Sequence, residues 1–225
     1  MTAYYPLFMN IEGQPCLVVG GGEVAARKVN SLLECGARVS VVSPWLCDSL
    51  RSLRESGKIE AALRGYRDGD TRGSVLVIAA TDDSDLNARI YREASASRIP
   101  VNVVDAPGQS TFIVPSVFKR GDVTIAISTG GRSPALAKRI RIALENALPA
   151  ELGELADMLS EVRQELKRRR VSVTAETWQD ALDIDVLLSL LRQGKRGDAR
   201  ERLMEHLTGD NRVVRTIDTI DGKRG

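Results

Sequence analysis

Six consecutive residues, Gly20-Gly21-Gly22-Glu23-Val24-Ala25, fit the pattern G-x-G-x-x-G/A. In that pattern one glycine allows a sharp turn, and another lacks the Cβ that would keep a pyrophosphate away. A small residue then lets the helix pack closely on the sheet. The helix also offers unpaired amides and the positive end of its dipole to phosphate. The implied chemistry is dinucleotide binding, provided that a strand leads in and a helix leads out. A plain glycine turn is the alternative. One partner is missing. An acid at the end of the second strand usually holds the ribose hydroxyls, but Ser43-Pro44-Trp45 stands there, with neither an acid nor an arginine. Spacing therefore leaves NAD and NADP both open.

A carboxylate, Asp105, closes the apolar run Val101 to Val104. Ligands of open parallel sheets bind beyond the carboxyl ends of the strands, so Asp105 should face the same crevice as the glycine turn. Partly desolvated there, it could act as a base. It could equally make an Asx-type turn, because Ala106-Pro107-Gly108 follows. Asp82 and Asp83 follow Ala79-Ala80-Thr81 and read as helix caps rather than catalytic groups.

A second glycine turn, Gly130-Gly131-Arg132-Ser133-Pro134, precedes another helical stretch. Ser133 suits the N-cap and Pro134 the first helical position. Lys138, Arg139 and Arg141 follow, and Lys119 and Arg120 come before. Such a helix start favours carboxylates or phosphates. An ordinary capped helix with a solvated basic face explains the same residues.

Composition excludes other chemistry. The single histidine, His206, rules against a Ser-His-Asp triad or a His-rich metal site. Cys16, Cys35 and Cys47 lack metal-ligand spacing and do not form a disulfide framework. The net charge of +2 lacks the basic excess of a general nucleic-acid binder. No run approaches the roughly 18 apolar residues of a membrane span, and residues 1–10 do not read as a signal peptide. A reducing cytoplasm fits these features.

The elements that must position these residues follow from periodicity. Strands are expected at 16–20, 38–42, 59–63, 75–80 and 100–104. Helices are expected at 24–35, 46–56 and 85–95, with Gly36 ending the first. Alternating strands and helices imply a parallel sheet. After Asp105 the pattern changes. Residues 111–118 and 122–128 read as an antiparallel pair joined through Lys119-Arg120-Gly121, and a helix runs from Pro134 to Ala147. From 150 to 207 the chain reads as charged helices with no strand of substance, and 208–225 as a loose polar tail.

Several segments together resemble one family. They are residues 4–22, 18–29 (VVGGGEVAARKV), 77–87 (VIAATDDSDLN) and 101–141, the last from VNVVDAP through ISTGGRSPALAKRIR. This looks like precorrin-2 dehydrogenase, the module that also forms the N-terminal part of siroheme synthase. The match is specific over roughly residues 1–150 and carries few markers beyond.

The resemblance implies an α/β fold, with a Rossmann-type NAD-binding domain at 1–112. It also implies a small β-plus-helix dimerisation segment at 113–149 and a helical C-terminal domain at 150–225. It implies oxidation of precorrin-2 to sirohydrochlorin with NAD, in some members followed by ferrous iron insertion to give sirohaem. Asp105 falls on the family's proposed catalytic aspartate. Gly20, Gly21, Gly22, Glu23, Val24, Ser43, Pro44, Trp45 and Thr81 are the expected cofactor residues, and family use favours NAD. Ser128, Thr129, Gly130, Gly131, Arg132 and Ser133 are expected to meet the tetrapyrrole, with Thr129 standing where a serine is common. A homodimer is expected, with no nucleic acid or membrane partner. No metal ligands can be named, and a methyltransferase domain is not expected after Gly225. The competing reading is a non-catalytic NAD(H)-sensing module, which would not need residues 105–141.

Overall fold

The computed structural model describes residues 4–209 and the backbone of residues 214–215. The chain divides into two compact units. One runs to Val114 and takes in Thr129–Ser133; the other holds Pro115–Ser128 and the described residues from Pro134 onward.

The first unit is built on β1 (Pro15–Val19), β2 (Arg38–Ser43), β3 (Ile59–Leu63), β4 (Leu76–Ala79) and β5 (Val101–Val103). All pair in parallel, in the order β3-β2-β1-β4-β5. Helices α1 (Glu23–Leu33), α2 (Asp48–Glu55) and α3 (Ser84–Ala96) connect them. Strand β1 shows why the sheet is covered on both faces. Cys16 and Val18 pack with Ala25, Val29, Leu32 and Leu50. Leu17 and Val19, pointing the other way, pack with Ile90 and Ala94 of α3. This alternation is the period-two geometry of a strand, applied to residues that are all apolar. Each fully buried Val or Leu contributes roughly 1.5–3 kcal/mol.

Two devices fix the ends of this sheet. The 64–75 connection has no helix of its own and is tied down by side chains. Arg64 makes two 2.8 Å bonds to Asp70. Glu93 on α3 accepts from the Tyr66 hydroxyl, the Gly69 amide and the buried Thr71 hydroxyl. Burial alone would raise the Glu93 pKa, but the bonds from Thr71, Tyr66 and Gly69 together hold it below the usual glutamate value. At the other edge, Ser110 and Thr111 run beside β5. Their hydroxyls accept from the amides of Val103 and Val101 at 2.9 and 2.8 Å.

That edge corrects one expectation. Residues 111–115 do not join the antiparallel pair; β6 starts at Ser116, because Ser110 and Thr111 are committed to β5. The second unit opens with β6 (Ser116–Arg120) and β7 (Val123–Ile127), paired antiparallel. Lys119 and Arg120 are strand residues opposite Thr124 and Val123, so the reversal falls on Gly121-Asp122, with Gly121 at φ +56°. Helices α4 (Pro134–Ala147) and α5 (Leu152–Arg168) follow. Then come β8 (Val171–Ser172), α6 (Ala175–Ala181), α7 (Ile184–Arg192), α8 (Arg196–Gly209) and β9 (Val214–Arg215). The short antiparallel β8–β9 pair adds two-residue strands to a region read as helices without a strand of substance and a polar tail. Most of the expected loose tail lies outside the described residues. Leu155, Met158, Val162 and Leu166 form one stripe of α5 at three- and four-residue spacing, and they pack with Leu187, Leu191, Leu203 and Leu207. No described helix is long and apolar enough to cross a membrane.

Candidate dinucleotide and substrate site

Register places the expected cofactor residues at one edge of the sheet. Val19 pairs with Val42 and with Ala79, and Ala79 pairs with Val103. Gly20, Ser43, Ala80 and Val104 therefore leave the strands at one level. The site loops begin there, at the carboxyl edge where open parallel sheets bind ligands.

The glycine turn is dictated by crowding. Gly20 sits at φ +130°, and a Cβ on it would stand 2.2 Å from the Ala80 carbonyl oxygen. A Cβ on Gly21 would stand 1.8 Å from the Trp45 carbonyl oxygen and 2.6 Å from Ser43 Oγ. The Cys47 amide donates to the Gly21 carbonyl at 2.7 Å, which holds the segment after β2 against the turn. Gly22 differs: at φ −85° it is the N-cap of α1, and its Cβ position meets only Trp45 Cη2, at 3.7 Å.

The start of α1 fits a phosphate. No side chain caps it, and the first intrahelical bond is Ala26 amide to Gly22 carbonyl at 3.0 Å. The amides of Glu23, Val24 and Ala25 therefore have no carbonyl partner in the helix. Above them the glycine at 22 presents no side chain. Glu23 and Pro44 are exposed, Val24 is half-buried, Ser43 is buried, and the Trp45 indole is 60% exposed. Thr81, beyond β4, donates to Asn87 Oδ1 at 2.8 Å, while Asn87 Nδ2 donates back to the Thr81 carbonyl at 2.8 Å. Asn87 is a buried polar residue of α3 that periodicity did not single out. Its signal was its place four residues after the capping Asp83.

Asp105 leaves β5 with φ +57°, the left-handed region, which Asp tolerates better than most residues. That conformation costs about 1 kcal/mol. The loop holds it there: Ala106 donates to the Val103 carbonyl, and the Ser110 hydroxyl bridges the carbonyls of Val103 and Ala106. The side chain is exposed, and no hydrogen bond or ion pair ties its carboxylate to another described residue. The Asx-turn alternative therefore does not account for Asp105. The expected partial desolvation is also not present in the chain by itself, since Asp105 is exposed.

Lys28, which the sequence reading passed over, feels the charge of this carboxylate without forming an ion pair with it. It is half-buried on α1. Burial lowers its pKa first, the Arg27 charge adds to this, and the Asp105 carboxylate opposes it. Val104, which precedes Asp105, and Phe112 pack against the same core cluster as Ala25 and Val29 of α1. The only sequence signal was a lysine one position from a core residue of the cofactor helix.

The second glycine turn closes on itself. Thr129 Oγ1 accepts from the Ser133 amide at 3.0 Å and donates to its carbonyl at 3.1 Å. Gly130 and Gly131 take φ +64° and +79°, which a side chain would strain. Arg132 is exposed and Ser133 half-buried. Thr129–Ser133 belong to the first unit, and Ser128 to the second. Pro134 opens α4, as its fixed φ favours. Among the described residues, no three of His, Cys, Asp and Glu are grouped to hold a metal ion.

Comparison with known proteins fits this geometry. An NAD(P)-binding family model matches residues 7–116. The sirohaem biosynthesis protein central model matches residues 120–147. Siroheme synthase of Pseudomonas aeruginosa (strain LESB58) is 42% identical over 213 residues, covering 92% of this chain. That of Methylobacillus flagellatus is 41% identical over 206 residues, covering 91%. The chain is thus similar, over nearly its whole length, to part of these siroheme synthases. It spans 44% of the length of each of these two relatives. Among solved structures, SirC, a precorrin-2 dehydrogenase, superposes with a TM-score of 0.68 at 24% identity. The match covers 90% of this chain and 98% of that one, and it supports the α/β fold with a parallel sheet. The glycine turn lies in the segment matched by the NAD(P)-binding model, while β7 and α4 lie in the segment matched by the central model.

Proposed function

We propose that this chain oxidises precorrin-2 to sirohydrochlorin, with NAD as hydride acceptor. One observation carries the reading: an exposed carboxylate, Asp105, with no partner among the described residues, stands at the same sheet edge as an uncapped, glycine-opened helix. A nucleotide sensor needs only the second feature. The siroheme synthase relatives and the SirC neighbour support the choice of substrate.

In this reading the α1 amides of Glu23, Val24 and Ala25 hold the pyrophosphate, and Ser43, Pro44 and Trp45 border the adenosine end. Thr81 borders the site from β4. The bound nicotinamide supplies the hydride acceptor. Asp105 takes the proton that leaves with the hydride, so each two-electron oxidation releases one hydride and one proton. The Asp105 carboxylate favours the charged form of Lys28, which burial disfavours, so the two groups are coupled. The Ser128–Ser133 segment binds carboxylates of the tetrapyrrole, with Arg132 as the cation.

A homodimer and a cytoplasmic location are parts of the proposal. The dimer is supported by apolar residues left open on the second unit: Leu136 and Ile140 on one face of α4, and Val117 on β6, are 53%, 38% and 39% exposed. The proposal covers the oxidation alone.

The test is purified protein with NAD and enzymatically made precorrin-2. Appearance of the sirohydrochlorin spectrum is expected; folded, NAD-binding protein that gives no spectral change would overturn the proposal. Running the same assay with ferrous iron measures metal insertion above the uncatalysed rate.

A further inference from the structure

The adenosine end of the cofactor site carries no charge that tells NAD from NADP. Strand β2 ends in Ser43, whose Oγ lies against the glycine turn, 2.6 Å from where a Gly21 Cβ would stand. A neutral hydroxyl thus occupies the place where a carboxylate would hold the ribose and repel a 2′-phosphate. The residues that follow, Pro44, Trp45, Leu46 and Cys47, are also uncharged. The next acid, Asp48, points into solvent at 95% exposure and pairs with Arg51 at 3.1 Å. The cation at the end of the neighbouring strand, Arg64, is committed to Asp70 through two bonds. Among the described residues, the two guanidiniums that follow these strand ends are both bonded within the chain, Arg51 to Asp48 and to the Leu46 carbonyl at 3.2 Å and Arg64 to Asp70, and Asp48 is the one acid between Ser43 and Arg51. What stands there instead is the indole of Trp45, held beside Gly22 by the bond from the Cys47 amide to the Gly21 carbonyl. An aromatic face binds adenine by stacking, and it does so equally for both dinucleotides.

We infer that this site accepts NADP as well as NAD, with Trp45 supplying adenosine affinity that is blind to the 2′-phosphate. Specificity is a difference of affinities and needs an element that rejects the wrong ligand. Without one, the two dissociation constants should lie within about tenfold of each other. The inference rests on the dinucleotide reading of the glycine turn, but not on the identity of the oxidised substrate.

The test is binding without tetrapyrrole. Trp178 is replaced (Trp178→Phe), so that Trp45 is the only remaining tryptophan. NAD and NADP are then titrated separately against its fluorescence. Quenching by both, with dissociation constants within about tenfold, supports the inference. Quenching by NAD alone, or NADP binding more than about a hundredfold weaker, overturns it while leaving the dinucleotide reading intact. Binding of neither overturns the dinucleotide reading itself. Two variants of the natural chain, followed by calorimetry, locate the cause. Trp45→Ala should weaken both dinucleotides by a similar factor, and unchanged affinity for both would remove Trp45 from the site. Pro44→Asp, at an exposed position, should weaken NADP selectively; equal loss of both would contradict the charge argument.

Discussion

Helices α1 and α3 both begin just beyond the carboxyl edge of the same sheet, yet their first turns are finished in opposite ways. At α3, Asp83 is the N-cap, and its carboxylate accepts from the amides of Asp85 and Leu86 at 3.0 Å. At α1, Gly22 is the N-cap and contributes no side chain. The fold creates the same unsatisfied donors at both starts. One set is consumed internally and the other is left for a ligand. The difference lies in the cap, since the first turn of α1 carries the Glu23 carboxylate but no side chain there accepts a capping bond.

Supplying a capping carboxylate should give the largest effect. Gly22→Asp is compatible with a backbone at φ −85° and with open space at the Cβ position. It should cap α1 and keep the protein folded. Dinucleotide affinity should fall about a thousandfold, since a carboxylate replaces the charge-assisted bonds to phosphate and repels it. Calorimetric titration alongside a melting curve measures both. Unchanged affinity would mean that the α1 start is not the phosphate site.

The next variant separates binding from chemistry at the same edge. Asp105→Asn keeps a side chain that tolerates φ +57°. Precorrin-2 turnover should drop at least about a hundredfold, with NAD affinity unchanged. Normal turnover would remove Asp105 from the mechanism, and lost NAD affinity would show that the two ends of the site are not independent.

A smaller effect is expected at Lys28, which serves neither end directly. Lys28→Met removes a half-buried ammonium whose burial already disfavours its charge. Melting temperature should hold or rise, while kcat should fall about tenfold, equivalent to roughly 1.4 kcal/mol at Asp105. Equal losses of stability and rate would mark Lys28 as structural only.

The smallest effect completes the pair of helices. Asp83→Ala should cost about 1 kcal/mol of stability through the lost cap. Denaturant melts measure this cost, and NAD affinity should not move. A large affinity loss would mean that the two helix starts do not differ in function as their caps imply.

Much of the first unit was legible because each element carried its own local signal. The run 75–80 could only be a covered strand, Gly36 could only follow a helix end, and Asp83 lay at capping distance from an apolar stripe. The chain was read less well where pairing depended on distant residues. Thr111 has strand propensity, yet its hydroxyl joins the edge of β5, and no local pattern reveals that competition. The β8–β9 pair joins residues 171–172 with 214–215, a separation that periodicity cannot span. Within the site, the glycines and Asp105 were readable because their residue types and spacing are restrictive. Lys28 and Asn87 were not, because a lysine or an asparagine on a helix usually faces water.

The sequence by itself determined the order of strands and helices, the glycine turn, the missing acid after β2 and the carboxylate after β5. These are properties of residues near one another in the chain, where hydrophobic period and the steric needs of turns act directly. Only the tertiary structure decided that the four strand ends share one level, because register depends on pairing between distant segments. It alone packed Val104 against the core cluster of α1, which leaves Asp105 within electrostatic reach of Lys28. It also turned Asp105 outward into a left-handed conformation that its own residues would not choose, held there by hydrogen bonds from Ser110.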